Sequence, residues 1–233
     1  MTEKHVADGI LLTLDNVPLP AALADSIRER WCVDEDDDFT EELFTRAASL
    51  SNACVFLRPA QVTSVDEKQA TLGDYTFKSS LVAQKLHTPG MTAVGYVASC
   101  GRALYDARTD YAYDIVLASV WEEICASYLR MVHDMLHTYM TEHFYPAKDH
   151  KKTYASLNPG SLQSWPIQAQ RDLFAYLGEG VSLTGVELTD SMLMLPTKSN
   201  SGIFFPTDEP YENCMHCPKI HCPGRRSPYM GHE

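Results

Sequence analysis

From Thr109 to His143 the chain carries no glycine and no proline, and Tyr113, Val116, Val120, Ile124, Tyr128, Val132 and Met135 recur there at steps of three and four. That spacing puts one apolar stripe on one face of an α-helix. A helix this long cannot leave its stripe in water, so the rest of the chain must supply the surfaces that cover it. It is predicted to be the spine of the core.

The flanking sequence supplies both kinds of element. Ala21 to Trp31 and Phe39 to Leu50 read as helices, and Ala53 to Leu57 and Tyr75 to Phe77 as short strands. Residues 78–87 fit either pattern. Ala93 to Ala98 is a β-rich run ending in Ser99-Cys100-Gly101. Tyr154 to Ser164 is dense in turn residues and reads as a loop. Ser164 is placed to cap a helix carrying Pro166 in its first turn, with Ile167, Gln170, Leu173, Phe174 and Leu177 on its core face. Gly178 and Gly180 stop it. Val186 to Leu188, Met192 to Leu195 and Gly202 to Phe205 are strand-like. Strands and helices are interspersed without a βαβ rhythm, which predicts an α+β fold with an antiparallel or mixed sheet packed against long helices. Residues 1–92 read as an N-terminal α/β region, 93–205 as the core, and 206–233 as a cysteine-rich tail with no packed element.

The net charge of −12 lacks the basic footprint of a nucleic-acid binder. No apolar run is long enough to cross a membrane, and the first residues lack the pattern of a secretory signal. A cytoplasmic protein is expected. The acidic run Asp34 to Asp38 reads as a solvated loop before a helix. In a reducing compartment the seven cysteines are not a disulfide framework. Cys32, Cys54 and Cys125 lie among apolar residues and read as small buried hydrophobes. His133, His137 and His143 have helical spacing, but no carboxylate pattern beside them makes a metal site. No Ser-His-Asp, Cys-His, phosphate-loop or paired-carboxylate signature is present.

The tail carries C-x2-C-x4-C as Cys214, Cys217 and Cys222. The two-residue gap lets two thiolates converge from one tight turn, and the third closes from the loop that follows. With so few apolar residues nearby, metal binding would contribute the ordering energy. Three thiolates with a remote fourth ligand suit an iron–sulfur cluster of the 4Fe-4S type; with His216 or His221 they suit zinc. Cys100, ending a predicted strand beside Gly101, is the candidate fourth ligand, with a buried core thiol as the alternative. Lys219, Arg225 and Arg226 would offset the thiolate charge.

Residues 157–205 resemble the reactivation domain of cobalamin-dependent methionine synthase. The likeness is carried by Asn158-Pro159-Gly160, Trp165-Pro166, Gln170 to Phe174, Gly185 to Ser191, and Met194 to Gly202 followed by Ile203-Phe204-Phe205. Glu122 to Leu129 adds a weaker match to that family's helix, so the resemblance covers about residues 93–211. The chain resembles a free-standing relative of that domain, of the kind found beside corrinoid proteins in some anaerobes. The resemblance implies a shallow S-adenosylmethionine groove and a partner, a corrinoid-binding protein or methyltransferase, that brings the cobalamin. It assigns cofactor contacts to Glu123, to Pro159, Gly160 and Trp165 of the loop, and to Tyr211.

Two departures shape the expectation. The family's arginine before the Pro-Gly loop is replaced by Ser156, Leu157 and Asn158. Losing a bidentate arginine to a carboxylate costs about 2 kcal/mol or more, which disfavours S-adenosylmethionine. The cysteine tail is an addition to the family domain, and a cluster there would place an electron donor beside the corrinoid. The functions expected are a reductive activation factor for a corrinoid protein, a non-catalytic module with a zinc-stapled tail, or an S-adenosylmethionine-dependent methylator of cob(I)alamin.

Overall fold

In the computed structural model of the protein, residues 1–6, 8–32, 38–149, 151, 153–222 and 225–231 are described. Ten strands and eight α-helices follow one another among them: β1 (Thr2–Val6), β2 (Gly9–Asp15), α1 (Ala21–Trp31), α2 (Asp38–Leu50), β3 (Asn52–Val65), β4 (Ala70–Leu72), β5 (Tyr75–Phe77), α3 (Ser80–Lys85), β6 (Thr92–Ser99), α4 (Arg102–Asp106), α5 (Ile115–His143), β7 (Tyr154–Leu157), α6 (Gln170–Leu177), α7 (Gly180–Leu183), β8 (Glu187–Leu188), β9 (Met194–Leu195), β10 (Ser199–Pro206) and α8 (Asn213–His216). The main sheet has eight strands in the order β1-β2-β3-β6-β10-β7, with β4 pairing to β3 and β5 to β4. The fold is α+β, as predicted.

The chain forms two compact units, each drawn from three segments: residues 1–56, 97–137 and 180–200, and residues 57–96, 138–179 and 201–233. The strands β3, β6 and β10 and the helix α5 are each divided between them. In the first unit β1 and β2 make an antiparallel hairpin, Thr2 opposite Thr13 and Val6 opposite Gly9. The α2 residues Thr40, Leu43, Phe44 and Ala47 are buried at the spacing of one helix face.

The long helix begins later than its sequence pattern suggests. The Asp114 carboxylate accepts hydrogen bonds from the Val116 and Leu117 amides at 2.8 and 3.1 Å, fixing the start of the helix. Residues 107–111 instead form a 3-10 turn. Tyr113 and Val116 are therefore exposed, and the buried stripe is Val120, Trp121, Ile124, Cys125, Tyr128, Val132 and Leu136. Two of these rings are fastened by polar contacts: Trp121 Nε1 donates to the Leu104 carbonyl at 2.9 Å, and the Tyr128 hydroxyl to that of Val17 at 2.8 Å.

In the second unit β10 pairs antiparallel with β7, Ile203 opposite Leu157 and Phe205 opposite Ala155. Residues 154–157, expected as loop, thus form a strand. The ambiguous residues 78–87 resolve as α3, whose first turn is capped by Ser79 accepting from the Val82 amide. The tail, expected to lack any packed element, contributes the one-turn α8 with Asn213 buried. The core holds Phe77, Tyr96, Tyr145, Tyr176 and Phe204. Its rings interlock, with Tyr96 stacked on Phe204 at 4.6 Å between centroids and Phe77 edge-on to Tyr176 at 5.5 Å.

Cys54 and Cys125 are buried as expected, whereas Cys32 is exposed. It ends α1 in the left-handed conformation at φ 53°. Of the acidic run, residues 34–37 lie outside the described residues, and Asp38 opens α2.

Burial, with a smaller contribution from the Asp15 charge, pushes the Cys54 thiol from 9.0 up to about 12. Burial does the same to the Tyr128 hydroxyl, from 10.0 to about 12. Both acids ionise more readily in the unfolded chain, so the stability they contribute is whole below pH 9.0 and lost as the pH rises toward about 12. The urea midpoint is expected to fall once the pH passes 9.0, and Cys54→Ala to remove part of that fall. A midpoint flat through this range would show that neither group is held neutral by the fold.

Candidate functional site

The Pro-Gly loop leaves the end of β7. Gly160 stands at φ +82°, a conformation that L side chains rarely adopt, and a Cβ there would press on Ile167. Its amide donates to the Trp165 carbonyl at 2.8 Å, closing the loop. Pro159 is buried and Gly160 exposed. The Trp165 ring is 2% exposed, so it packs the loop from inside.

Asn158 is the hub beneath this loop. Its amide nitrogen donates to the Tyr96 hydroxyl and to the Ser201 carbonyl, both at 2.8 Å. Its oxygen accepts from the Asn213 amide at 2.8 Å and from the Ser156 hydroxyl at 3.4 Å. A neutral amide offers two donor hydrogens and two lone pairs, and here all four are used. The strand beside it must come close: a Cβ on Gly202 would collide with the Leu157 carbonyl. Next to Gly202, the Ser201 hydroxyl donates to the buried Gln170 side chain at 2.7 Å.

The tail docks on this hub through Asn213, which is 5% exposed and also donates to the Ser156 carbonyl at 3.1 Å. The Tyr211 hydroxyl donates to the Asn213 oxygen at 3.4 Å. The Tyr211 ring lies edge-on to Phe205 at 5.8 Å, near-parallel to His216 at 5.7 Å, and under the Lys85 ammonium at 4.3 Å. Pro159, Gly160, Trp165 and Tyr211, four of the five positions assigned by resemblance, are thus joined in the second unit. The fifth, Glu123, sits on α5 in the first unit, half-buried, 3.3 Å from Arg30 Nε. Its neighbour Glu122 pairs with Lys198 at 2.9 Å. Beside Tyr211 a cavity of about 300 Å³ opens, lined by Tyr154, Pro210, Tyr211 and Met215 and by the charged Lys151, Asp208, Glu209 and Glu212.

Around the tail cysteines the main chain is organised by a guanidinium. Arg225 gathers the main chain around itself: Nε donates to the Ile220 carbonyl at 3.2 Å, Nη1 to those of Cys214 and Ser227, and Nη2 to those of Cys217 and Lys219 at 2.7 and 2.9 Å. A guanidinium has five N–H donors, and all five are used. Cys214, Cys217 and Cys222 stay half-exposed. Among the described residues no group of three or more His, Cys, Asp or Glu is arranged to hold a metal ion. Cys100 is wholly buried in the first unit, its sulfur 3.7 Å from the Gly101 carbonyl and in hydrogen-bonding contact with Cys125. That contact and burial together raise its pKa well above 9.0. Arg225 and Arg226, expected to balance thiolates, are engaged with carbonyls and with Glu212.

Asn158, Asn213, Tyr96 and the carbonyl-binding role of Arg225 were not visible in the sequence. The only hint was that Asn158 and Arg225 fall inside motifs singled out for other reasons.

Asn213→Ala removes two donated bonds from a buried position, a loss of about 1–3 kcal/mol. It is expected to free the tail to protease and to lower the urea midpoint, because the Asn158 hub loses a partner. A tail that stays protected in this variant would mean that Asn213 does not anchor it.

No protein-family model matches the chain, and no curated protein matches it. Among solved structures it is similar to the crystal structure of the MetH reactivation domain bound to AdoHcy, with a TM-score of 0.63 and 14% sequence identity, over 82% of this chain and 68% of that one. The chain has the fold of the MetH reactivation domain.

Proposed function

We propose that the chain is a reactivation-type module that binds an S-adenosyl ligand and acts on a corrinoid carried by a partner protein. The observation that carries this reading is the fold likeness to a domain bound to AdoHcy over 82% of the chain. It is joined by the loop geometry: Pro159, Gly160 and Tyr211, three of the five positions the family resemblance assigns to the ligand, are linked through Asn158 and Asn213. The chemistry falls to positioning. The Asn158 hub holds the loop rigid, the left-handed Gly160 keeps its backbone open to a ligand, and the ring of Tyr211 is fixed from three sides. S-adenosylmethionine would supply the methyl group when bound, and the cobalamin comes with the partner.

A second reading rests on the C-x2-C-x4-C spacing alone, which suits an iron–sulfur cluster or zinc. The described arrangement does not fit such a group, and no electron-transfer step is assigned to the tail. Localisation in the cytoplasm goes with the same proposal; among the described residues no helix is long and apolar enough to cross a membrane.

Titration calorimetry with S-adenosylhomocysteine tests the first reading, with saturable binding expected at micromolar concentration, about −8 kcal/mol. A partner test adds a corrinoid protein in its Co(II) form, S-adenosylmethionine and a reductant, and follows conversion to methylcobalamin by absorbance. If neither binding nor faster conversion is seen, the reading fails. Metal analysis of anaerobically purified protein decides the second: substoichiometric iron and zinc are expected, and one equivalent of either would restore the tail as a metal centre.

A further inference from the structure

An S-adenosyl ligand ends in an amino acid, and its α-carboxylate needs a cationic partner once water is displaced. The loop itself, from Ser156 to Gly160, has no charged residue. The tail carries one. Arg226 pairs with Glu212 at 3.2 Å, and Glu212 directly precedes Asn213, the residue bonded to Asn158. Glu212 also lines the cavity beside Tyr211. Burial raises the Tyr96 hydroxyl to about 12, and the charge of Arg226 offsets part of that rise, which puts the guanidinium within electrostatic reach of the hub.

The two adjacent arginines have opposite tasks. Arg225 spends all five donors on the tail's own carbonyls. Arg226 remains about half exposed, with the Glu212 carboxylate as its ion-pair partner. A planar guanidinium that already holds one carboxylate has the donor geometry for another. The Asp208 and Glu209 carboxylates on the cavity lining suit the ammonium of the same zwitterion.

We infer that Arg226, delivered by the folded tail, is the residue that grips the α-carboxylate of an S-adenosyl ligand at the cavity beside Tyr211. The inference rests on the ligand reading above and names the contact within it. Glu212 then holds the guanidinium until the ligand's carboxylate displaces it.

The test is calorimetry with two probes on the full chain. S-adenosylhomocysteine carries the amino-acid end, and 5′-methylthioadenosine lacks it. Arg226→Gln is expected to weaken S-adenosylhomocysteine about ten- to a hundredfold, the range of one charge-assisted contact, and to leave methylthioadenosine unchanged. Glu212→Gln breaks the same ion pair, yet is expected to bind S-adenosylhomocysteine as tightly as the wild type or more tightly. If Arg226→Gln binds S-adenosylhomocysteine like the wild type, or if Glu212→Gln weakens it equally, the assignment is wrong while the ligand reading stands. If the wild type binds neither probe, the ligand reading fails and the assignment falls with it.

Discussion

The saturated amide of Asn158 is the constraint on which the second unit's candidate site depends. It faces a strand residue on each side, Tyr96 from β6 and Ser201 from β10, and a tail residue, Asn213. A buried amide with one partner missing is costly, so these contacts form as a set or are lost as a set. The turn of the Pro-Gly loop, the close approach of Gly202 and the docking of the tail are three consequences of satisfying one side chain. Loop shape and tail position are therefore coupled, although the residues involved lie 55 positions apart.

Much of the architecture was legible because it is periodic. The first helix was bounded correctly at Ala21 and Trp31, and the strand at Tyr75 to Phe77 likewise. The α+β class followed from the mixture of periods, and the ordered short motifs from Asn158 to Phe205 identified the fold despite 14% identity to its structural neighbour. What failed was non-periodic. Residues 154–157 are a strand because β10 pairs with them, not because of their turn-rich sequence context. Cys32 is exposed, standing past the last turn of α1 in the left-handed conformation. The helix start moved because a single carboxylate, Asp114, captures two amides.

The candidate site was half legible for the same reason. Motif positions such as Pro159 and Gly160 stand out through the family resemblance, by residue type and order. The amide pair Asn158–Asn213 does not, since asparagine is common in turns and nothing local says that two of them will meet. The tail shows the reverse emphasis. Cysteine spacing is a strong signal, and it drew attention from the arginine that organises the segment. Lys198 forms an ion pair with Glu122 and hands its carbonyl to the Cys100 amide at 3.0 Å.

A segment wrapped around a guanidinium differs in its vulnerabilities from one wrapped around thiolates. Arginine keeps its proton at every pH a cell reaches, takes no part in oxidation and yields nothing to a chelator. The carbonyl cage around Arg225 should thus keep its form through oxidative or acid stress that would strip a sulfur-ligated ion, leaving the three outer thiols to react with the surroundings while the peptide beneath them holds still.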